Sequence, residues 1–144
     1  MPPTVEIAVR LLVATAIGIG IGLDRELRHK PAGLKTHALV ALGAALVTVV
    51  TASLSDLAHP DAAAMTRAIQ GIIAGVGFLG GGAILKSDHA MVRGLTTAAS
   101  IWVVASLGIA CGAGQWIAAL IALGIALLVL IGGNFLEKKI LEAD

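Results

Sequence analysis

Five long apolar stretches follow one another along the chain, separated by short polar or glycine-rich segments. Each is close to the roughly 20 residues that a helix needs to cross the hydrocarbon core of a bilayer. None shows the period-two alternation of half-exposed strands. We therefore predict an all-α integral membrane protein, a bundle of about five transmembrane helices forming one domain over residues 1–144. The predicted spans are residues 7–23, 34–57, 68–85, 95–111 and 115–136, followed by a short charged tail over residues 137–144.

The composition supports a lipid environment. Hydrophobic residues make up 58% of the 144 residues and charged residues 13%, whereas soluble domains carry about 25% charged residues. A small soluble protein cannot bury that much apolar surface, so we expect the lipid bilayer to be the main partner. The net charge of +1 says little about partners, but the lack of basic runs interleaved with aromatic residues and the absence of Tyr argue against a nucleic-acid partner.

The Lys and Arg residues are distributed unevenly between the two ends of the predicted helices. One side, formed by the first loop, the third loop and the C-terminus, carries eight of the ten. The other side carries only Arg10 and Arg67. Because cytoplasmic loops are rich in Lys and Arg, the bias places the N-terminus outside and the C-terminus in the cytoplasm.

A weak internal repeat relates two predicted helical hairpins. Residues 33–38 (GLKTHA) resemble residues 94–99 (GLTTAA) after a shift of 61 positions (94 − 33). Spans 1 and 2 would form one unit and spans 3 and 4 a parallel second unit, as in some transporters. Chance likeness between two Gly/Ala-rich hairpins explains the pattern equally well.

Glycines crowd the third span and allow two interpretations. Several have the small-xxx-small spacing that lets helices approach closely, and three consecutive glycines weaken a helix. The first interpretation is helix packing, within or between protomers, and the second is a helix break that exposes carbonyls. The residues concerned are Gly71, Gly75, Gly77, Gly80, Gly81 and Gly82.

Charged residues at the predicted cytoplasmic ends of the helices are the candidate site. Asp24, Arg25 and Glu26 follow the first span, where carboxylates add to the negative pole of the helix dipole and favour a cation. Asp24 and Glu26 are thus candidate ligands for Mg²⁺, which prefers oxygen ligands. The alternative is that both carboxylates pair with Arg25 or with bases in the following loop.

Basic and hydroxyl residues open the second and fourth predicted helices, where free N–H groups attract anions. The start of the second helix lies close to Asp24 and Glu26 because the intervening loop is short. If the repeat is real, the start of the fourth helix converges on the same region near the inner membrane surface, in a site for a cation or a protein partner. These residues are Lys35, Thr36 and His37, and Arg93, Thr96 and Thr97. The sequence contains no phosphate-loop, Gly-x-Ser-x-Gly or His-Glu-x-x-His motif, so we expect neither an enzyme nor a cofactor, apart from Mg²⁺ as ligand or signal.

Several of these motifs resemble the MgtC/SapB family of bacterial membrane proteins. They are residues 22–26 (GLDRE), 32–40 (AGLKTHALV), 42–44 (LGA), 75–84 (GVGFLGGGAI) and 94–102 (GLTTAASIW). Asp24 stands where the family usually has Glu, and Gly81 lies where Ala is usual. Many members continue into a soluble C-terminal domain, so functions of that domain are not carried over.

The resemblance implies a protein of the bacterial inner membrane linked to magnesium adaptation and ion homeostasis and, in some members, to virulence. Two functions remain open. The first is a small ion transporter or channel, and the second is a regulator that binds a partner such as a transport ATPase. We also expect a homo-oligomer, most simply a dimer, because five small helices leave many Gly/Ala faces uncovered.

Overall fold

The computed structural model describes residues 3–54, 62–85 and 93–141, with the backbone alone for residues 85 and 134–141. All five helices in these ranges are long and apolar enough to cross a membrane, and no strand occurs among the described residues. The predicted all-helical membrane architecture is therefore confirmed. The helices are α1 (Thr4–Leu27), α2 (Leu34–Leu54), α3 (Ala62–Leu85), α4 (Leu95–Gly112) and α5 (Trp116–Leu141).

Three helices extend clearly beyond the spans expected from hydropathy. α1 continues to Leu27 through the charged residues 24–26, α3 begins at Ala62, before Arg67, and α5 continues to Leu141 through most of the predicted charged tail. Charged residues at a helix end do not stop the backbone ladder when their side chains find partners or reach the membrane surface. The predicted loops around residues 55–61 and 86–92 and the last three residues of the tail lie outside the described residues.

The centre of the bundle consists of α1, α2 and α4, with α2 held between two glycine pairs. A Cβ atom on Gly18 or Gly22 of α1 would come within 2.5 Å of His37 O or 2.7 Å of Leu34 Cα. A Cβ on Gly108 or Gly112 of α4 would come equally close to the other side of α2, at 2.5 Å from Ala41 O and 2.7 Å from Ala45 O. Both pairs have the four-residue spacing that allows close helix crossing, so backbone approaches backbone on both sides of α2.

The predicted glycine face of α3 is not used in this way. Gly71, Gly75, Gly77, Gly81 and Gly82 have nothing within 4 Å of where a Cβ would lie, and Gly80 alone approaches another helix, 3.4 Å from Ala98 Cβ. α3 also runs unbroken through residues 80–82, so the helix-break interpretation is wrong. Opening the ladder in lipid would leave unsatisfied polar groups that cost several kcal/mol each, more than three glycines lose in helix propensity.

Apolar side chains cover the outside of the bundle. Examples are Leu12, Phe78 and Leu128, which are 68%, 84% and 74% exposed. Beneath them, small and branched residues of the central helices form a closely packed cluster that includes Ala14, Ala41, Val104 and Cys111. This inversion, apolar outside and small residues inside, is what lipid as solvent favours.

Candidate functional site

Four of the five buried polar side chains in the described part of the chain lie at one end of the bundle. They are Arg25, His37, Thr97 and Ser100, here called the Arg25 cluster. Arg25 comes from the last turn of α1, His37 from the first turn of α2, and the two hydroxyl residues from the start of α4. The fifth, Thr48, lies further along α2 and donates to Ala44 O within its own helix at 2.8 Å.

Hydrogen bonds join the members of the Arg25 cluster across the three helices. Arg25 Nη2 donates to Thr97 Oγ1 at 3.2 Å. His37 Nδ1 lies 2.9 Å from Gly33 O, and its Nε2 lies 2.9 Å from Ser100 Oγ. Ser100 Oγ also lies 2.8 Å from Thr97 O. The cluster therefore ties α1 and α2 to the N-terminus of α4.

Arg25 is the incompletely satisfied member of this cluster. Its side chain is 1% exposed, and its Nε has no hydrogen-bond partner. No carboxylate of the described residues forms an ion pair with it, although Asp24 and Glu26 are its neighbours in sequence. A buried guanidinium without a paired anion is costly, so Arg25 has unused capacity to bind a negative group.

Each of the two carboxylates predicted as cation ligands has one oxygen engaged by the protein. Asp24 Oδ1 accepts from Arg28 Nε at 2.7 Å, and Glu26 Oε2 accepts the Leu34 N–H at 3.0 Å, at the first residue of α2. Asp24 Oδ2 is buried without a hydrogen-bond partner. The described residues contain no group of three or more His, Cys, Asp or Glu side chains able to hold a metal. The geometry thus gives no support to Asp24 and Glu26 as a magnesium site.

Glu26 is held against α2 by a glycine. A Cβ on Gly33 would lie 1.7 Å from Glu26 Oε2, so any other residue would push the carboxylate away from the Leu34 N–H. The carboxylate satisfies one of the unpaired N–H groups at a helix N-terminus and complements its partial positive charge. α2 therefore begins with an anion that the protein itself supplies.

The segment after α1 forms a tight helix end with an unusual residue in it. Lys30 N donates to Arg25 O and His29 N donates to Glu26 O, both at 3.0 Å. This is the Schellman arrangement, whose left-handed position is usually glycine. Here it is His29, with φ of 52°. The turn brings His29 and Lys30 towards the start of α4.

A cavity of about 620 Å³ opens beside this turn, here called the basic cavity. Pro31 and residues 94–97, at the N-terminus of α4, complete its described lining, and no described Asp or Glu lines it. α4 begins after Gly94, which has φ of 91° and offers no side chain to cap the helix. The four side chains of basic type that line the cavity are Arg25, His29, Lys30 and Arg93.

The predicted site residues are thus brought together only in part. Arg25, Arg93, Thr96 and Thr97 line the basic cavity, whereas Lys35 is exposed and Thr36 half-buried without lining it. Sequence reasoning missed Ser100, His29 and Lys30. Ser100 follows Thr97 by three residues, one helical turn, and this spacing was the available signal.

The opposite end of α4 has a different arrangement around another arginine of α1. Arg10 Nη1 donates to Gly112 O at 2.6 Å, and Arg10 Nε donates to Glu6 Oε1 at 3.1 Å. Its Nη2 also pairs with Glu6. Arg10 therefore caps the C-terminus of α4 and has its own carboxylate partner.

Comparison with known proteins gives consistent matches over most of the chain. The sequence profile of the MgtC family matches residues 11–139. Protein SrpB of Synechococcus elongatus is 42% identical over 137 residues, covering 90% of this chain and 75% of SrpB. Protein SapB of Bacillus subtilis is 40% identical over 134 residues, covering 91% of this chain and 56% of SapB.

A shorter alignment joins the chain to protein MgtC of Brucella abortus, 43% identical over 112 residues, covering 78% of this chain and 44% of MgtC. The chain therefore spans about half the length of SapB and MgtC. No solved structure matches the chain significantly.

Proposed function

The chain belongs to the MgtC family of membrane proteins, and on that premise we propose that it is a regulator in magnesium adaptation and ion homeostasis. In this proposal it performs no catalysis and carries no ion itself. It acts on a membrane-protein partner, such as a transport ATPase, with Mg²⁺ as the signal to which the cell responds.

The position of the charged residues supports regulation over transport. The five helices carry no Asp, Glu, Lys or Arg over residues 11–23, 38–54, 68–85, 95–112 and 116–133. Many ion pathways place an ionisable group at membrane depth. In the described protomer the polar groups around Arg10 and the Arg25 cluster are instead separated by the packed apolar cluster of Ala14, Ala41 and Val104.

Hydroxyl groups at membrane depth do not supply a path either. Thr15 Oγ1 donates to Leu11 O at 2.7 Å, and Thr48 Oγ1 donates to Ala44 O at 2.8 Å. Each hydroxyl is satisfied by the preceding turn of its own helix, as is common for Ser and Thr in such helices. A hydrated ion would therefore meet no continuous row of oxygen atoms in the described protomer.

Ion flux in liposomes that contain only this protein tests the proposal. We expect magnesium entry, followed with an internal fluorescent indicator, to equal that of empty liposomes. The same protein, expressed in a strain that lacks it, must rescue growth in low magnesium, which shows that the tested sequence is functional. Magnesium or other ion flux above the empty-liposome rate would overturn the regulator and favour the transporter.

The open face of α3 supports a homo-oligomer, and we propose a dimer. A groove of about 420 Å³ between α2 and α3 is lined by Gly43, Gly71, Gly75 and neighbouring apolar residues. A helix of a second copy could approach these backbones closely, because no side chain fills the space above the glycines.

Gly75→Leu should convert the dimer to a monomer while the protomer stays folded, because a Cβ on Gly75 would meet nothing within 4 Å in its own protomer. The matched control is Gly20→Leu, another open helical glycine that does not line the groove. Light scattering in detergent measures the mass. A Gly75→Leu protein that keeps the mass of the parent would exclude this interface.

We also propose that the protein lies in the inner membrane with the Arg25 cluster at the cytoplasmic face. The eight-to-two distribution of Lys and Arg supports this orientation. In a Cys111→Ala background, a thiol reagent that cannot cross the membrane should label Gln115→Cys from outside. Lys35→Cys should react only after the cells are opened. The reverse pattern would invert the topology.

A further inference from the structure

We propose that the basic cavity binds a phosphate group, either free inorganic phosphate or the phosphate of an anionic lipid headgroup. The site is formed by Arg25, Lys30 and Arg93 together with the N-terminus of α4. Its occupation does not depend on whether the protein regulates or transports.

The first observation is the unfilled donor capacity of Arg25. Arg25 lines the cavity, is 1% exposed, and lacks a hydrogen-bond partner at Nε. Its one side-chain hydrogen bond to a described residue goes to the neutral Thr97 hydroxyl. Buried arginines normally have anionic or several neutral acceptors around their donors. The nearby Asp24 carboxylate contributes negative charge but hydrogen-bonds Arg28 instead of Arg25, so an anion entering the cavity would supply the acceptor that Arg25 lacks.

The second observation is the N-terminus of α4, which faces the same cavity. Ala98 N is the first amide of α4 to bond back, to Gly94 O at 2.9 Å. The amides of residues 95–97 precede it, and such first-turn N–H groups have no partner inside the helix. Gly94 provides no side-chain cap. These donors and the positive end of the helix dipole form a recognised anion-binding arrangement.

A comparison with α2 within the same molecule shows what the N-terminus of α4 lacks. α2 and α4 begin alike: His37 N donates to Gly33 O at 3.2 Å, as Ala98 N does to Gly94 O. At α2 the Glu26 carboxylate occupies the helix end. At α4 no described carboxylate does so, and basic side chains surround the position instead. An external anion in the basic cavity would take the place that Glu26 holds at α2.

The charge and number of donors favour a phosphate group over a carboxylate. Lys30 and Arg93 add two exposed cations to the buried Arg25. Inorganic phosphate carries up to two negative charges near neutral pH and four oxygens, and the phosphodiester of a lipid headgroup carries one charge with two anionic and two ester oxygens. In both, the oxygens are arranged tetrahedrally and can meet a guanidinium, helix amides and an ammonium group from different directions. A carboxylate has only two oxygens, both in one plane, and it would leave donors of Arg25 or of α4 unmatched.

Direct binding to the full chain, purified in an uncharged detergent, tests the proposal. Equilibrium dialysis with radiolabelled orthophosphate measures free phosphate, and native mass spectrometry with added phosphatidylglycerol measures the headgroup. Phosphatidylcholine, which has no net charge, is the control lipid. We expect saturable binding of one phosphate group per chain in at least one arm, weakened by salt.

The decisive variant is the Lys30→Ala/Arg93→Ala double substitution. Both residues are exposed, so the protein should stay folded, and affinity should fall about tenfold or more for two lost charge contacts. The matched control is Lys35→Ala, which removes an exposed base that does not line the cavity, and the phosphate affinity of this variant should be unchanged.

Each outcome decides part of the proposal. Binding of orthophosphate alone assigns the cavity to a free anion, and binding of phosphatidylglycerol alone assigns it to a lipid. Binding in both arms assigns it to the shared phosphate group. The proposal is overturned if neither probe binds, if the double variant binds as tightly as the parent, or if Lys35→Ala weakens binding equally. None of these results changes the conclusion drawn from the liposome flux experiment, so the two proposals are tested separately.

Discussion

Two arginines of α1 lie at opposite ends of α4, and the electrostatic environments of their guanidinium groups differ. Arg10 lies at the C-terminus of α4, where it donates to Gly112 O and pairs with Glu6. Arg25 lies at the N-terminus of α4, where it donates to the Thr97 hydroxyl and leaves Nε without a partner. The two residues are 15 positions apart, about 22 Å along a helix.

The helix dipole makes this difference meaningful. The C-terminus of a helix is partially negative and attracts a cation, whereas the N-terminus is partially positive and repels one. Arg10 is therefore a stabilising cap, and Arg25 adds positive charge where the helix already supplies it. The first end is satisfied within the protein, whereas the second keeps an unpartnered donor, which the proposed anion would satisfy.

The largest expected effect separates the two left-handed glycines that flank α4. Gly94→Ala should lower the free energy of unfolding by about 3 kcal/mol or more, because it adds left-handed strain to overpacking. Gly94 has φ of 91°, and its Cβ would lie 2.5 Å from Ala83 O, a backbone atom. Equilibrium unfolding in mixed micelles measures the change.

Gly114→Ala is the matched control at the other end of α4. Gly114 has φ of 75°, and its Cβ would lie 2.9 Å from Arg10 Nη2, a side-chain tip that can shift only by loosening its contacts to Gly112 O and Glu6. We expect a cost of about 1 kcal/mol from the backbone conformation and part of the contribution of Arg10, which together stay below the cost of Gly94→Ala. Equal costs for the two substitutions would mean that the α3–α4 contact at Ala83 yields easily.

The next effect compares the arginines directly. Arg10→Met should cost about 2 kcal/mol, because it removes hydrogen bonds from a charged donor to Gly112 O and Glu6. Arg25→Met should change stability by less than about 1 kcal/mol, since replacing a poorly paired buried charge with an apolar chain is often neutral. Both variants are measured by the same unfolding assay.

The functional consequence should run in the opposite direction. Arg25→Met should abolish phosphate binding while Arg10→Met leaves it intact, because only Arg25 lines the basic cavity. An Arg25→Met protein that unfolds as readily as Arg10→Met would show that the two ends of α4 are equally complete.

A smaller effect concerns the carboxylate at α2. Glu26→Ala should cost about 1 kcal/mol, as expected for loss of an N-terminal cap, whereas Glu26→Gln keeps an acceptor oxygen and should cost less. Growth in low magnesium separates this cap from the cation site considered above. Normal rescue by Glu26→Gln is expected, and loss of rescue by a folded Glu26→Gln protein would restore the cation site.

The smallest effect is a gain. His29→Gly should raise the free energy of unfolding by roughly 0.5–1 kcal/mol, because glycine adopts the left-handed position of the α1 turn with less strain. The matched control is Lys30→Gly, next in the same turn, which should not stabilise the protein. A His29→Gly protein less stable than the parent would mean that the imidazole makes a compensating contact.

Hydropathy and charge were sufficient to predict the helices but not the direction in which the site residues point. Asp24, Arg25 and Glu26 alternate in sign along the sequence, and each residue turns about 100° around a helix. The rotation carries Arg25 inward and leaves Glu26 exposed. Which of the three side chains points inward depends on where α2 and α4 pack, and hydropathy carries no information about that packing. The sequence therefore suggested a cation-binding site, whereas the cavity in the structure is basic.

The glycines illustrate a second limit. The spacing of Gly71 and Gly75 is the same as that of Gly108 and Gly112, but only the second pair touches another helix of the protomer. Small-xxx-small spacing shows that a close approach is allowed. It does not tell which neighbour makes the approach. The identity of the neighbour is a property of the whole bundle, so the prediction for α3 remains open at the level of the oligomer.

The two glycine pairs that hold α2 have a consequence for the order of membrane insertion. Gly18 and Gly22 of α1 can dock onto α2 as soon as both helices have left the ribosome, because the contact joins consecutive segments. The second glycine pair, Gly108 and Gly112 of α4, is synthesised only after α3. α3 must therefore enter the lipid before its main partner, α4, exists. Because its surface is largely apolar and its backbone hydrogen bonds are unbroken, α3 is stable in the lipid before α4 is inserted.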